Sequence, residues 1–284
     1  MRNFKEKWQS YKGHPGSIIM LVLIYLAAII SVAVVVFMIA YILVRGIPNL
    51  SSELFAWKYN SKNVSMMPAI INTLYMTVLT LLIAIPVGVG SAIYLVEYAK
   101  KGSKLVKIIR VTNETLSGIP SIVYGLFGFL AFVIAMHMNY SMLAGILTLA
   151  IMVLPLIVRT TEEALISVPD SFREGSFGLG AGSLRTIFVV LLPPAMPGIL
   201  SGIILATGRI AGETAALLYT SGTGTTATFN VMVPGRTLAV HMYALISEGL
   251  YTDQAYATAV ILLAMVILIN MLSKFLAGRL SAKN

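Results

Sequence analysis

Long stretches without a single charged side chain set the organisation of this chain. Residues 17–44, 69–96 and 115–158 contain no Asp, Glu, Lys or Arg. A membrane crossing takes about 20 mostly apolar residues rising roughly 1.5 Å each. Each run is therefore long enough to span a bilayer, and the third can do so twice, turning at Asn139–Tyr140. The pattern predicts an all-α membrane protein with six transmembrane helices near 17–44, 69–97, 115–137, 141–158, 197–219 and 254–274. It predicts a membrane domain over 17–277 with a long loop at 159–195, between short tails at 1–16 and 278–284. The first run exceeds the apolar core of a cleaved signal and no A-x-A site follows it, so it reads as a retained helix.

Composition agrees. Of 284 residues, 58% are hydrophobic and 11% charged, against about 25% charged in soluble domains. No polar stretch is long enough to build a large soluble domain. The absence of cysteine excludes disulfides and thiolate metal sites, and His14, His137 and His241 are too scattered to form a metal centre. The net charge of +9 points to membrane topology rather than to nucleic acid, because the basic residues alternate along the chain. The N-terminal tail carries Arg2, Lys5, Lys7 and Lys12. The connection after the second helix carries Lys100, Lys101, Lys104, Lys107 and Arg110. The fourth-to-fifth loop has Arg159, Arg173 and Arg185, and the C-terminal tail Lys274, Arg279 and Lys283. The opposite side has only Arg45, Lys58, Lys62 and Arg236. The positive-inside rule places both termini and the 159–195 loop in the cytoplasm of a multi-pass cell-membrane protein.

Pro86, Pro120 and Pro197 are predicted to break the second, third and fifth helices. Gly198/Gly202 and Gly208/Gly212, spaced by four, suggest helix-packing faces. In the long loop, Pro169-Asp170-Ser171 reads as a helix start with a capping residue, and Gly178, Gly180 and Gly182 as its stop; Pro193 and Pro197 lead back into the membrane. Glu97, Glu114 and His137 read as interfacial. The segment 236–248 reads as a short amphipathic helix on the outer surface, and SGTGTT (221–226) as a flexible loop. The sharpest feature is Arg209 with Glu213 in an apolar setting. A charge at mid-bilayer costs about 2.5–3.5 kcal/mol on insertion scales and usually faces a bundle interior or a polar path. At i, i+4 the two side chains are predicted to share a helix face and pair. Two readings stay open: a polar path for a solute, or a structural pair that fixes packing.

EGSFGLGAGSLRTIFVVLLP (174–193) resembles the EAA loop of ABC importer permeases. Glu174 matches its leading acid, Gly180 its glycine and Leu192-Pro193 its end. Gly175 and Ser176 stand where two alanines are usual, and Val190 where isoleucine is. IPVGVGSAIYLVEYA (85–99), LSGIPSIVYGLFG (116–128) and GRIAGETAALLYTSG (208–222) resemble the phosphate importer permeases, and TAALLYTSG the A-type subunit among them. The resemblance covers about residues 66–275. It implies the type I ABC importer permease fold, similar to the methionine permease, with a cytoplasmic coupling helix at roughly Phe172–Ser183 that docks on an ATPase. Phe172, Glu174, Phe177, Gly180 and Ala181 would form the docking element, in a helix-in-groove mode. Arg209 and Glu213 would line the substrate path, Arg209 offering its fork to phosphate oxygens. Pro120, Pro193, Pro197, Gly198, Gly202, Gly208 and Gly212 would shape the moving helices.

The implied partners are a C-type phosphate permease subunit, two ATPase subunits, an extracytoplasmic phosphate-binding protein and the lipid bilayer. The chain has no G-x-x-x-x-G-K-[ST] loop and no nucleophile–base pair in a plausible cleft. It is expected to hold no cofactor, ATP and Mg being bound by the partners, and to catalyse nothing itself. Alternatives are a permease for another oxyanion such as sulfate or molybdate, and an ion-coupled transporter or channel in which Arg209–Glu213 is a relay.

Overall fold

The computed structural model describes residues 15–100 and 102–281. The basic N-terminal tail, Lys101 and Lys283 lie outside them. The described elements are helical: α1 (Pro15–Gly46), α2 (Met67–Ile93), α3 (Lys104–Ser117), α4 (Ser121–Gly128), α5 (Met142–Ile166), α6 (Asp170–Gly178), α7 (Leu192–Gly212), α8 (Ala215–Thr220), α9 (Leu238–Glu248) and α10 (Thr252–Ser281). Wide π-turns extend α2 through Tyr94–Tyr98 and α4 through Phe129–Ala135. A third, Thr186–Leu191, joins a helical turn at Ser183–Arg185 to α7. Among the described residues five helices are long and apolar enough to cross a membrane, and α3 with α4 makes a sixth if that bent pair counts as one span.

One interior helix, α5, organises the bundle. Leu149, Val153 and Ile157 of α5 are fully buried between Met76 and Ala84 of α2 and Ala206 and Ile210 of α7. Ser141 caps α5, its hydroxyl accepting the Ala144 N–H at 3.2 Å. By contrast α1 is exposed along nearly its whole length and packs on α10. There Tyr41 meets Tyr256 edge-on, ring centres 5.8 Å apart, and Gly46 presses on the Tyr256 carbonyl with no room for a Cβ.

The proline expectations need correction. Only Pro120 breaks its helix, and it does so by 105°. Proline disfavours helical geometry in the residue before it. The chain turns through Gly118 and Ile119, whose N–H groups bond the carbonyls three residues back, and restarts at Ser121. The third span is therefore not one helix over 115–137. Its first part is the amphipathic α3, which turns Val106 inward and leaves Leu105, Ile108 and Val111 outward. Pro86 and Pro197 sit inside continuous α2 and α7, where neighbouring packing and local widening absorb the missing N–H. Likewise α5 continues beyond 158 to Ile166, and helix resumes at Ser183, which shortens the loop expected at 159–195.

Candidate functional site

The loop between α5 and α7 carries α6. Its start is simpler than predicted. Pro169 occupies the N-cap position with extended backbone, and no side chain caps the helix. Asp170 stands in the first turn, where its charge suits the helix dipole, and its Oδ1 accepts from Arg173 Nη1 at 3.1 Å. The end follows from Gly180, whose φ of +82° favours glycine. The Gly180 N–H bonds the Phe177 carbonyl and the Ala181 N–H the Ser176 carbonyl, the paired bonds of a Schellman stop.

The two faces of α6 differ. Phe172 and Phe177 are half exposed and Leu179 is 91% exposed, so a large part of each stays uncovered by the chain itself. Glu174 is exposed without a partner among the described residues. A shallow cavity of about 640 Å³ is lined by Phe172, Ser176, Leu179, Gly180, Ala181 and Arg185. The inner face is bolted to the bundle. Arg173 Nη2 donates to Glu97 Oε1 at 2.8 Å and to the Leu165 carbonyl at 3.0 Å, while Nη1 donates to the Val168 carbonyl at 2.9 Å. Both side chains of this ion pair are mostly buried, 16% and 10% exposed. Glu97 is thus a buried partner rather than a lone interfacial acid. Ser176, where alanine is usual in the resembling loop, is buried and its hydroxyl lies 2.8 Å from that of Thr186. Gly175 faces open space.

Arg209 and Glu213 are separated by structure. Arg209 lies in the last turn of α7, which ends at Gly212, and Glu213 leaves with extended backbone at ψ 130°. The i, i+4 alignment is lost and no ion pair joins them. Gly212 weakens helix continuation by about 1 kcal/mol relative to alanine. The buried Glu213 carboxylate instead accepts the Ala216 N–H at 3.1 Å, satisfying one open donor at the start of α8. Arg209 is half-buried, with no hydrogen bond or ion pair among the described residues. Its charge reaches the Tyr124 hydroxyl, which donates to the Leu116 carbonyl at 2.8 Å across the Pro120 bend. At Gly125, α8 lies backbone to backbone on α4: a Cβ would stand 2.8 Å from the Ala216 Cα.

Residues 84–284 match the family described as binding-protein-dependent transport system inner membrane component. The chain belongs to this family. The matched range contains α6, Arg209 and Glu213. A probable ABC transporter permease protein, YqgI of Bacillus subtilis, is 35% identical over 91% of this chain and 94% of its own length. The phosphate transport system permease protein PstA of Pasteurella multocida is 33% identical over 90% and 92%. Among solved structures, a bacterial alginate ABC transporter in complex with alginate pentasaccharide-bound periplasmic protein aligns with TM-score 0.70 at 15% identity, covering 96% of this chain and 98% of that one. The fold is that of ABC importer permeases.

In this permease the predicted glycine faces differ from each other. A Cβ at Gly198 would stand 2.6 Å from that of Ala164, and Gly202 leaves no room beside Thr160, so both hold α7 against α5. Gly208 makes only ordinary contact with Asn270, and Gly212 faces open space. The loop read as flexible is tied down: Ser221 Oγ donates to the Gly235 carbonyl at 2.5 Å and the Arg236 N–H to the Gly224 carbonyl at 3.0 Å.

The segment 236–248 is not a surface helix either. In α9, Leu238, Ala239, Val240, His241 and Leu245 are buried. Burial, then the charge of nearby Arg236, push His241 down to about 3, with the Val64 backbone pulling weakly the other way. Tyr59 packs edge-on to the imidazole. A group depressed from about 6.5 stays neutral in the fold while the unfolded chain takes up a proton. This contribution to stability is complete above pH 7 and is lost as pH falls from about 6.5 toward 3. The permease is expected to lose about 2 kcal/mol between pH 7 and pH 5 through this group. Thermal unfolding in detergent at the two pH values measures it. His241→Leu should flatten the difference, and an equal drop in the variant would place the loss elsewhere.

Proposed function

We propose that this chain is the A-type membrane subunit of an ATP-driven inorganic phosphate importer. The observation that carries the reading is Arg209: a guanidinium among apolar helices with no hydrogen-bond or ion-pair partner among the described residues. An unpaired arginine fork suits a tetrahedral oxyanion. The names of relatives such as PstA supply the anion, and sulfate or molybdate are the competing occupants. Both termini and α6 face the cytoplasm by the distribution of basic residues. There the exposed Phe172, Phe177, Leu179 and Glu174 meet an ATPase subunit. A C-type permease completes the path, a second ATPase subunit serves it, and an extracytoplasmic binding protein delivers phosphate. ATP is bound and hydrolysed by the partners, and this chain carries no catalytic residue. Glu213 bonds the start of α8 and forms no ion pair with Arg209, which speaks against a relay between the two.

Labelled-phosphate uptake into vesicles holding the reconstituted complex tests this. Uptake is expected to require this chain, the ATPase subunits and ATP, and to resist excess sulfate. Competition by sulfate would move the reading to another oxyanion, and uptake without the ATPase would overturn it.

A further inference from the structure

Arg236, unlike the exposed lysines, is a buried cation with no ion pair among the described residues. It is 4% exposed and its Nη2 has no hydrogen-bond partner. Its guanidinium lies 4.5 Å over the Tyr59 ring. A ring stabilises the flat face of a guanidinium but leaves its in-plane donors unused. Next to it, Asn72 Nδ2 donates to the Thr226 and Arg236 carbonyls, at 3.0 and 3.4 Å. Asn72 Oδ1 is buried with no partner. The fold thus leaves an unused donor on Arg236 and, on the side chain that bonds the Arg236 backbone carbonyl, an unused acceptor. A buried charge is strongly unfavourable unless it is paired and hydrogen-bonded, and the described residues supply no such partner.

There is an approach to it. A cavity of about 840 Å³ is lined by Trp57, Lys58, Tyr59, Thr225, Thr226 and Phe229, among others. Arg236 is not part of that lining, but Tyr59, over whose ring its guanidinium lies, is. Lys58 adds a second positive charge at the wall, and the two threonines add hydroxyls. A neutral water would satisfy hydrogen bonds but leave the charge. An anion that also carries a proton satisfies both orphans.

We propose that Arg236 is the seat of a second oxyanion site, entered from this cavity when the Tyr59 ring turns aside. Its occupant is hydrogen phosphate, accepting from Arg236 and donating its O–H to Asn72 Oδ1. This rests on the reading of the chain as a phosphate permease, and extends it to a station in the outer loops, where the solute is taken over before reaching Arg209. A fully deprotonated anion such as sulfate has no proton to offer Asn72 and is disfavoured here. A lipid headgroup shares the phosphate chemistry and is the competing source.

The chain has no cysteine, so Ala227→Cys, in the lining of the same cavity, provides a single reporter thiol. The assembled complex is placed in vesicles of phosphatidylcholine alone, and the rate of labelling by a water-soluble maleimide is followed. Inorganic phosphate is expected to slow labelling about tenfold at ten times its Kd. Arg236→Gln is expected to abolish the slowing. No slowing by phosphate, or equal slowing in Arg236→Gln, overturns the proposal. Slowing that needs anionic lipid overturns it in favour of a headgroup, and equal slowing by sulfate overturns the assignment to hydrogen phosphate. Should Arg236→Gln fail to copurify with the ATPase, Lys58→Gln replaces it. Protection is then expected to shift to severalfold higher phosphate, and an unshifted curve overturns the proposal. Uptake by the same vesicles separates the two readings. Uptake without protection sinks this inference alone, whereas failure of ATP-driven phosphate uptake sinks the phosphate-permease reading beneath it.

Discussion

Arg209→Ala in the assembled transporter is expected to lower phosphate uptake roughly 100-fold, equivalent to about 2.7 kcal/mol. That lies within the roughly 2–5 kcal/mol lost when one partner of a buried charged contact is truncated. The large effect follows from the lack of a carboxylate partner among the described residues: no ion pair there competes with the solute for the fork. Arg209→Lys keeps the charge but loses the bidentate geometry, and an intermediate loss is expected. The companion variants separate Arg209 from its neighbour in sequence. Glu213→Gln keeps an oxygen facing the Ala216 N–H and should transport nearly normally. Glu213→Ala removes that acceptor and should loosen the start of α8 by about 1 kcal/mol, the scale of a lost helix cap. Labelled uptake, with copurification as the control for assembly, reads all four. Normal transport by Arg209→Ala would end the path reading, and a Glu213→Gln variant as inactive as Arg209→Ala would restore a joint role for the two.

The second large effect is expected at the inner face of α6. Arg173→Leu strands the buried Glu97 carboxylate and leaves the Leu165 and Val168 carbonyls without their donor. Breaking a buried pair from one side costs about 3–5 kcal/mol, enough to unseat a nine-residue helix that has few other anchors. ATP hydrolysis by the complex is expected to continue while phosphate moved per ATP falls to near zero. Glu97→Gln keeps an acceptor for Arg173 and should lose less. Protease cleavage within 167–182 gives an independent readout and should accelerate in Arg173→Leu. An unchanged transport-to-hydrolysis ratio in that variant would show that the pair does not hold the coupling element.

The membrane helices were legible because a run of apolar residues long enough to span lipid needs no partner to be recognised. Local chemistry was legible too: the Gly180 stop depends on a handful of consecutive residues. What failed were inferences that carried a local pattern across a break. The i, i+4 spacing of Arg209 and Glu213 means a shared face only while the helix continues, and Gly212 ends it. A proline marks a possible break, but whether the helix survives depends on packing: Pro120 turned the chain, while Pro86 and Pro197 did not. A signal for α3 was present, with Leu105, Val106, Ile108 and Ile109 interleaved with Lys104, Lys107 and Arg110, but the charges read as a loop. The pairing of Glu97 with Arg173 bridges 76 positions, and the burial of Arg236 depends on Tyr59 and Asn72, far earlier in the chain. One sequence holds no local trace of such contacts.

The π-turns at Tyr94–Tyr98 and Thr186–Leu191 have a mechanical consequence. Glu97 lies in the first and Thr186 opens the second, so both fastenings of α6, through Arg173 and through Ser176, land on helix segments already wound out of regular register. A push on α6 would therefore enter the bundle through wide turns. A wide turn can shift or tighten by one residue, rotating the rigid rod beyond it without tearing a full set of backbone bonds. The close contact of Gly198 and Gly202 with α5 makes the remainder of α7 a stiff shaft, and the same small rotation is carried to Arg209 at its far end.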